Sequence, residues 1–451
     1  MSTVMRLELM ERESNDNLIR VGVIGAGTFG GLTIYQIGRI PGINVSIISD
    51  IIKENAIQGY VRTGYKKKEI MQVSEADAAN HYIEKTVPVI TDSNQIVIES
   101  DVDVILEATG NPEVGARNAY SAIEHKKSIV MATVEADAVV GPLLKRMADE
   151  AGVVYSMAYG DQPALIVELY DWAISAGFEV VAAGKGNNPE WRYGTPDDSL
   201  ERFGFSPRQI KRMKLNPKMY NSFLDGTKCA VEMVAVSNAT RLKPDVRGMH
   251  LPVGGIRDIP RLLSLKNDGG ILENEGVVDA ITYMHSDGRK VRNNIRWGVF
   301  VVVTTKSRYV RNILRTYGCY MGGKGRNALI YRPNHLPGLE TPISLIRAAL
   351  YKEPTGAPLP STPSAEVITA AKKDLKLGDV LDGGGGYMVY GLAEKEEIAR
   401  EENLLPFELA ENIRVLETIP KDGIIKYDDV ELNESSFLLK LRRMQDHIYR
   451  K

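Results

Sequence analysis

The sequence predicts an α/β fold: a doubly wound parallel sheet with an α+β central domain and a small β-rich C-terminal domain. An apolar run ends in a Gly-x-Gly-x-x-Gly pattern at 25–30 and continues into a helical stripe. Strands and helices then alternate along the chain. Farther on, glycine-rich loops join strand-like runs, and prolines cluster between 354 and 363. We expect domains at 1–158, 159–353 and 354–451.

The glycine-rich segment predicts a Rossmann-type dinucleotide-binding unit. Gly25 and Gly27 permit a tight turn and close approach of the backbone to a pyrophosphate, and Gly30 lets the helix pack against the strand. The phosphates would lie at the helix N-terminus, beside Thr28 and Phe29. An ordinary strand-to-helix turn is the alternative.

Two further segments support a nicotinamide cofactor. The second strand, 45–49, ends in Asp50, at the spacing where an acidic residue grips the adenosine ribose. A carboxylate there would repel a 2′-phosphate, so we expect NAD to be favoured over NADP. Thr109 and Gly110 follow the predicted strand 102–108, and these small residues would allow the nicotinamide ring to approach. A plain turn explains them equally well.

The other predicted elements complete this alternation. They are a charged helix over 1–18, a helical insertion over 50–89, helices over 112–125 and from about 141, and strands at 128–132, 153–157, 178–182, 228–236 and 299–304. Short strands around the glycine run 383–386 predict the β-rich C-terminal domain.

Composition limits the choice of partners and compartment. The 56 basic and 58 acidic residues of the 451 give a net charge of −2, which provides no electrostatic footprint for nucleic acid or an anionic membrane. Two cysteines far apart, Cys229 and Cys319, favour a reducing cytoplasm over a disulfide framework. The first residues lack the apolar core of a signal peptide, and no run approaches the roughly 20 residues that span a bilayer. We therefore expect a cytoplasmic protein.

Three segments contain candidate catalytic groups. Lys185 follows an apolar strand, where partial desolvation would lower its pKa toward that of a general acid. A solvated loop lysine is the alternative. Asp161 precedes a predicted helix, where it could bind a substrate or a metal. N-capping of that helix is the alternative. Glu135 and Asp137 follow a buried strand and could hold substrate hydroxyls, or Asp137 could cap the helix near 141.

Cations and amides near residue 330 suggest an anion site. Lys324 and Arg332 lie in pliable, glycine-rich or proline-containing backbone and suit a substrate phosphate or carboxylate, with Asn334 and His335 beside them. His335 and His250 are candidate proton relays or structural residues.

A divalent-metal site is a further expectation. Glu232 lies in the predicted strand 228–236, where a buried carboxylate needs a partner or a cation. Together with Asp161 it forms a candidate oxygen-ligand set for magnesium or manganese. Neither zinc-ligand spacing nor a hydrolase nucleophile signature occurs.

Several segments resemble a known family in order along nearly the whole chain. They are 25–30, 111–115, 134–137, 183–186, 248–250, 323–325 and 332–336. The chain resembles the homoserine-dehydrogenase-like oxidoreductases with a C-terminal SAF-type domain, and most of all the 1-deoxy-D-xylulose 5-phosphate reductoisomerase-like (DRL) enzymes. The resemblance implies reduction of a phosphorylated ketose after skeletal rearrangement, with NADPH and a divalent cation, in isoprenoid precursor synthesis by a homo-oligomer. Two positions depart from the pattern: Asp50 replaces small or basic residues, and Gln162 stands beside Asp161 where the family has Glu.

The sequence thus predicts an NAD(P)-dependent oxidoreductase acting on CH–OH groups. Lys185 would protonate the forming alkoxide, assisted by Asp161 or Glu135, while Lys324 and Arg332 hold a phosphorylated or carboxylated substrate. A simple NAD-dependent dehydrogenase of a hydroxy acid or sugar acid is one alternative. A non-catalytic NAD-binding sensor or scaffold is another.

Overall fold

The computed structural model describes residues 3–213, 215–285 and 287–449. The chain forms two compact units: residues 1–164 with 336–361, and residues 165–335 with 362–451. The division into three domains stays a prediction. The compact units follow other boundaries because 336–361 belongs with the N-terminal part of the chain.

The secondary structure begins with a helix, as predicted. The helices are α1 Thr3–Ser14, α2 Thr28–Ile37, α3 Lys53–Thr63, α4 Ala76–Glu84, α5 Asn94–Glu99, α6 Pro112–Glu124, α7 Val134–Ala151, α8 Gln162–Ser175, α9 Pro196–Arg202, α10 Pro207–Met213, α11 Pro217–Leu224, α12 Thr227–Thr240, α13 Ile259–Leu262, α14 Arg308–Thr316, α15 Pro342–Leu350, α16 Glu396–Glu401 and α17 Phe437–Tyr449. The strands are β1 Ile19–Ile24, β2 Ile43–Ser49, β3 Met71–Gln72, β4 Val89–Thr91, β5 Val104–Glu107, β6 Ser128–Met131, β7 Tyr155–Met157, β8 Glu179–Asn187, β9 Lys243–Pro244, β10 Val277–Thr282, β11 Val299–Thr304, β12 Met321–Gly322, β13 Asn327–Arg332, β14 Ala365–Ala371, β15 Val380–Asp382, β16 Val389–Lys395, β17 Glu411–Val415 and β18 Val430–Glu431.

The first unit is built on a parallel sheet with the strand order β3-β4-β2-β1-β5-β6-β7. The chain runs outward from β1 in one direction through β2 and in the other through β5. The order therefore reverses between β1 and β5, and ligands of such sheets bind beyond the carboxyl ends of the strands at this point. The predicted fold class is confirmed.

The sequence predicted a helical insertion over 50–89, but the segment also contains strands. It contains α3 and α4, but β3 and β4 also extend the sheet at one edge. β4 pairs with β2 only through Ile47–Ser49, so the first half of β2 extends beyond its neighbour.

The helix expected from about residue 141 begins earlier, at Val134. Pro142 lies inside α7 and Asp137 lies in its first turn, so the interpretation of Asp137 as an N-cap is wrong. α7 is buried over most of its length and packs against α6 and β7. This packing outweighs the local preference of proline for a helix start.

The second unit contains a mixed sheet with the order β12-β13-β11-β8-β10-β9. β8 runs parallel to β10 and antiparallel to β11. The strand predicted at 178–182 continues to Asn187, because Gly184 and Gly186 serve close packing rather than a loop. A Cβ atom on Gly184 would lie 1.8 Å from the carbonyl oxygen of Asp279, and one on Gly186 would lie 1.9 Å from that of Ile295.

The predicted strand 228–236 is wrong, because these residues form part of α12. Nearly every residue of α12 is buried, so the sequence lacks the apolar stripe of period 3.6 that marks a surface helix.

The C-terminal region is β-rich, as predicted. β14 pairs with β16, and β15, β17 and β18 form another antiparallel sheet. Within the described ranges, no helix has both the length and the apolar character needed to cross a lipid bilayer.

Candidate active site

The glycine loop of the first unit lies at the point where the strand order reverses. Gly25 has φ +93°, and a Cβ atom there would lie 2.6 Å from the carbonyl oxygen of Ala108. A Cβ atom on Gly30 would lie 2.0 Å from the carbonyl oxygen of Gly25. At Gly27 it would meet nothing within 4 Å. Two glycines are thus required by packing, and the middle one borders open space.

This loop fits a dinucleotide pyrophosphate. Gly27 is the N-cap of α2 and provides no side-chain hydrogen bond to the helix. The first amides of α2, at Thr28 and Phe29, lack intrahelical acceptors because they belong to the first turn. Free amides, a helix N-terminus and open space at Gly27 together provide the environment that phosphates bind.

Asp50 lies at the carboxyl end of β2, directly beside the glycine loop. Its Oδ2 accepts a hydrogen bond from the Ala26 amide at 2.8 Å. Its Oδ1 accepts one from the Ile52 amide at 2.7 Å and one from Asn55 Nδ2 at 3.3 Å. The carboxylate is therefore held at the position expected for a ribose ligand.

The turn after β5 contains a buried carboxyl group that the sequence did not single out. Glu107 accepts hydrogen bonds from the hydroxyl and the amide of Thr109. The Gly110 amide donates to Thr133 Oγ1 at 3.0 Å. Burial raises the pKa of Glu107, and its hydrogen bonds oppose the shift. Thr109 and Gly110 thus belong to a polar network at the end of β5.

Glu135 and Asp137 occupy different environments on α7. Glu135 is half-buried in the first turn, whereas Asp137 is buried in the core of the first unit. Burial raises the pKa of Asp137 to about 7, against the opposing effect of the Tyr155 hydroxyl. Glu135 is therefore the more accessible of the two carboxylates.

The two predicted metal ligands, Asp161 and Glu232, lie in different units of the chain. Asp161 precedes α8, and its Oδ1 accepts the Gln162 amide at 2.9 Å. Asp161 belongs to the first unit and Glu232 to the second. In the part of the chain that the structure describes, no group of three or more His, Cys, Asp and Glu side chains could hold a metal ion.

Lys185 lies within β8 rather than in a solvated loop. Its side chain forms an ion pair with Glu232 of α12, which packs over this part of the sheet. Lys185 is 5% exposed and Glu232 is 3% exposed. Such a pair requires good geometry to offset desolvation. The sequence predicted that a buried Glu232 would need a partner, and in the structure that partner is Lys185, the predicted general acid.

Strand register places Arg332 on the same face of the sheet as Lys185. Lys185 is directly opposite Val299 of β11, and Val299 is directly opposite Arg332 of β13. Directly opposite residues project to the same face. Two strand spacings separate Lys185 and Arg332, about 10 Å. Glu232 reaches this face from α12.

Asn187 is a polar residue of this face that sequence reasoning missed. It lies two positions after Lys185 on the same strand and therefore projects to the same face. It is 5% exposed, and its Nδ2 has no hydrogen-bond partner among the described residues. If the alternation of side chains along the strand had been continued through Gly184 and Gly186, it would have identified Asn187 as a residue of this face.

Cys229, Asp279 and His250 differ from Lys185 in their surroundings. Burial raises the pKa of Cys229 to about 12, so this thiol is protonated at neutral pH. Asp279 projects to the opposite face, where it accepts the amides of His250 and Leu251 at 3.1 and 3.0 Å. His250 Nε2 lies 2.8 Å from Asp245 Oδ2. His250 is thus fixed away from the Lys185 face.

Lys324 lies apart from Arg332. Lys324 is exposed just before β13 and donates to the Asn267 carbonyl oxygen at 2.7 Å. It lies at the opposite end of β13 from Arg332, roughly 17 Å along the strand, so the two cations do not form one clamp. His335 Nδ1 lies 2.7 Å from the Trp297 carbonyl oxygen, and Asn334 is exposed.

Residues 160–341 match the family model of the oxidoreductase DRL catalytic domain. This segment includes Lys185, Glu232 and Arg332, and it covers less than half of the chain. The match confirms the resemblance to DRL over this segment and the predicted class of enzyme, an NAD(P)-dependent oxidoreductase. The homoserine-dehydrogenase and SAF-type assignments stay predictions. The search of curated proteins gave no match.

Several solved oxidoreductase structures match parts of this chain at low sequence identity. A probable dehydrogenase from Thermotoga maritima is 12% identical, with 74% of this chain and 90% of that chain covered and a TM-score of 0.39. The 1-deoxy-D-xylulose 5-phosphate reductoisomerase from Zymomonas mobilis, in complex with NADPH, is 15% identical, with 49% and 57% covered and a TM-score of 0.32. The myo-inositol dehydrogenase from Lactobacillus casei, in complex with NAD(H) and myo-inositol, is 19% identical, with 41% and 50% covered and a TM-score of 0.25. The chain spans only about half the length of the last two.

Proposed function

We propose that this oxidoreductase transfers hydride between a nicotinamide cofactor and a carbonyl carbon of an anionic, sugar-derived substrate, with a phosphorylated ketose as the first candidate. The observation that carries the proposal is the buried Lys185–Glu232 pair, which lies in the segment matching the DRL catalytic domain. The glycine loop, with Asp50 beside it, provides the cofactor site and favours NAD.

The residues of the chain would divide the work as follows. NAD(P)H supplies the hydride. Lys185 donates a proton to the oxygen of the reduced carbonyl, and the resulting neutral amine is reprotonated from solvent. Glu232 orients the ammonium group and stabilises its charge. In the direction of alcohol oxidation, the neutral Lys185 amine accepts the same proton.

Two other side chains on the Lys185 face would bind the substrate. Arg332 can pair with a phosphate or a carboxylate. Asn187 Nδ2 can donate to a substrate oxygen, a contact that would satisfy a buried donor.

A simple dehydrogenase of a hydroxy acid or sugar acid is the second candidate. The observation that favours it is the separation of Lys324 from Arg332. Arg332 without Lys324 is enough to pair with a carboxylate.

The experiment is a substrate panel followed by absorbance of the reduced nicotinamide. We expect oxidation of NADH or NADPH by 1-deoxy-D-xylulose 5-phosphate, measured with magnesium, with manganese and with chelator. Turnover only of unphosphorylated hydroxy acids or polyols would replace the phosphoketose with the second candidate. Cofactor binding without any turnover would contradict both and leave a sensor or scaffold.

A further inference from the structure

A cavity lies in the first unit, at the end of the sheet opposite the glycine loop. Its volume is about 400 Å³, within the size range typical of small-molecule sites. It lies where the first half of β2 extends beyond β4. The missing strand pairing leaves Asn44 and Val45 of β2 only half-buried at the cavity wall.

Apolar and aromatic residues predominate among those that line this cavity. Isoleucines from α2, the following turn and β2 line it, together with the buried ring of Tyr60 from α3. The Tyr65 ring packs edge-to-face against Tyr60, with 5.8 Å between the ring centroids. A ligand with a branched or aromatic hydrocarbon body would fit these walls.

The charge at the cavity is negative. Glu13 is the single charged residue among its described lining residues. Glu13 Oε2 accepts the Gly42 amide at 2.7 Å, which holds the carboxylate at the rim. The C-terminal ends of α2 and α3, capped at Gly38 and Gly64, also line the cavity. Helix C-termini carry partial negative charge and favour cations.

We propose that this cavity binds an apolar organic molecule carrying an ammonium group. The hydrocarbon body would pack on the isoleucines and Tyr60. The ammonium group would lie at the rim, facing Glu13 and the two helix ends. This site lies at the end of the first sheet opposite the glycine loop, and the proposal does not rest on the proposed reaction.

The test uses three probes that share one hydrocarbon body: 4-phenylbutylamine, 4-phenylbutanol and 4-phenylbutanoate. Each is titrated into the full chain by isothermal titration calorimetry at neutral pH. We expect the amine to bind with a dissociation constant below about 10 mM, and about tenfold or more tightly than the alcohol and the carboxylate. Crystals soaked with the amine should show it between α2 and α3.

The matched variants are Glu13→Gln and Glu11→Gln, two exposed positions on the first helix. We expect Glu13→Gln to remove most of the preference for the amine and Glu11→Gln to leave it unchanged. Absence of saturable amine binding, equal affinity for the three probes, or a preference that survives Glu13→Gln would each overturn the proposal.

Discussion

Lys185 and Arg332 stand in one transverse row of the second sheet, with Val299 between them. Both therefore project to the same face, about 10 Å apart, and Glu232 reaches that face from α12. A substrate of a few carbon atoms with an anionic end can span this separation. The row thus links the proposed proton donor to the proposed anion ligand.

Arg332 and Lys324 should differ in their effect on substrate binding. Arg332→Gln should raise KM by about ten- to hundredfold with a smaller effect on kcat, because it removes a charge-assisted contact that is largely uniform between ground and transition states. Lys324→Gln is the matched control and should leave KM within about twofold, because Lys324 lies at the other end of β13. Steady-state kinetics with the substrate found in the panel measure both. A larger rise in KM for Lys324→Gln than for Arg332→Gln would place the anionic group of the substrate at Lys324.

Asn187 should separate activity from stability. Its Nδ2 has no partner in the described structure, so Asn187→Leu should leave the melting temperature unchanged or raise it while lowering kcat/KM about tenfold or more. Asn327 is the control, because its Nδ2 donates to Ser264 Oγ at 2.8 Å in a buried site. Asn327→Leu should lower the melting temperature. A destabilised Asn187→Leu variant with normal kcat/KM would show a structural role.

Asp50 should determine cofactor preference. The unmodified protein should bind NADH at least about tenfold more tightly than NADPH, a difference of about 1.4 kcal/mol. Asp50→Asn should narrow this ratio, because the amide retains an acceptor for the Ala26 amide but no longer repels a 2′-phosphate. Asp92→Asn, at an exposed site, should leave the ratio unchanged. Fluorescence titration with both cofactors measures it, and tighter binding of NADPH by the unmodified protein would refute the assignment.

Asp137 should make stability depend on pH. Burial raises its pKa from 3.8 to about 7 in the folded chain, so the folded state holds this proton more tightly than the unfolded state does. The stabilisation that protonated Asp137 gives to the folded state is complete below about pH 4 and is lost as the pH rises to about 7. Asp137→Asn should therefore become more stable relative to the unmodified protein as the pH rises from 5 to 8. A difference in melting temperature that stays constant over this range would contradict the assignment.

The sequence predicted the elements whose patterns are local. β1, α2 and β2 follow from apolar runs around a glycine turn, and α6 begins at the expected proline. The sequence placed Lys185 after a strand because Gly184 and Gly186 suggest a loop. In the structure both glycines permit close strand packing, and Lys185 lies within β8. Burial on all sides hid the helical period of α12. The pairing of Lys185 with Glu232 depends on that helix and could not be inferred from spacing.

The central claim is that Lys185 donates the proton. The most direct measurement is kcat of Lys185→Met combined with Glu232→Gln, which avoids leaving an unpaired buried carboxylate. The control is Lys372→Met with Asp225→Asn, another buried pair in the same unit. We expect the Lys185 variant to lose about a hundredfold or more in kcat with NADH affinity unchanged, and the control to retain kcat. A near-normal kcat in the folded Lys185 variant would show that the proton comes from another group.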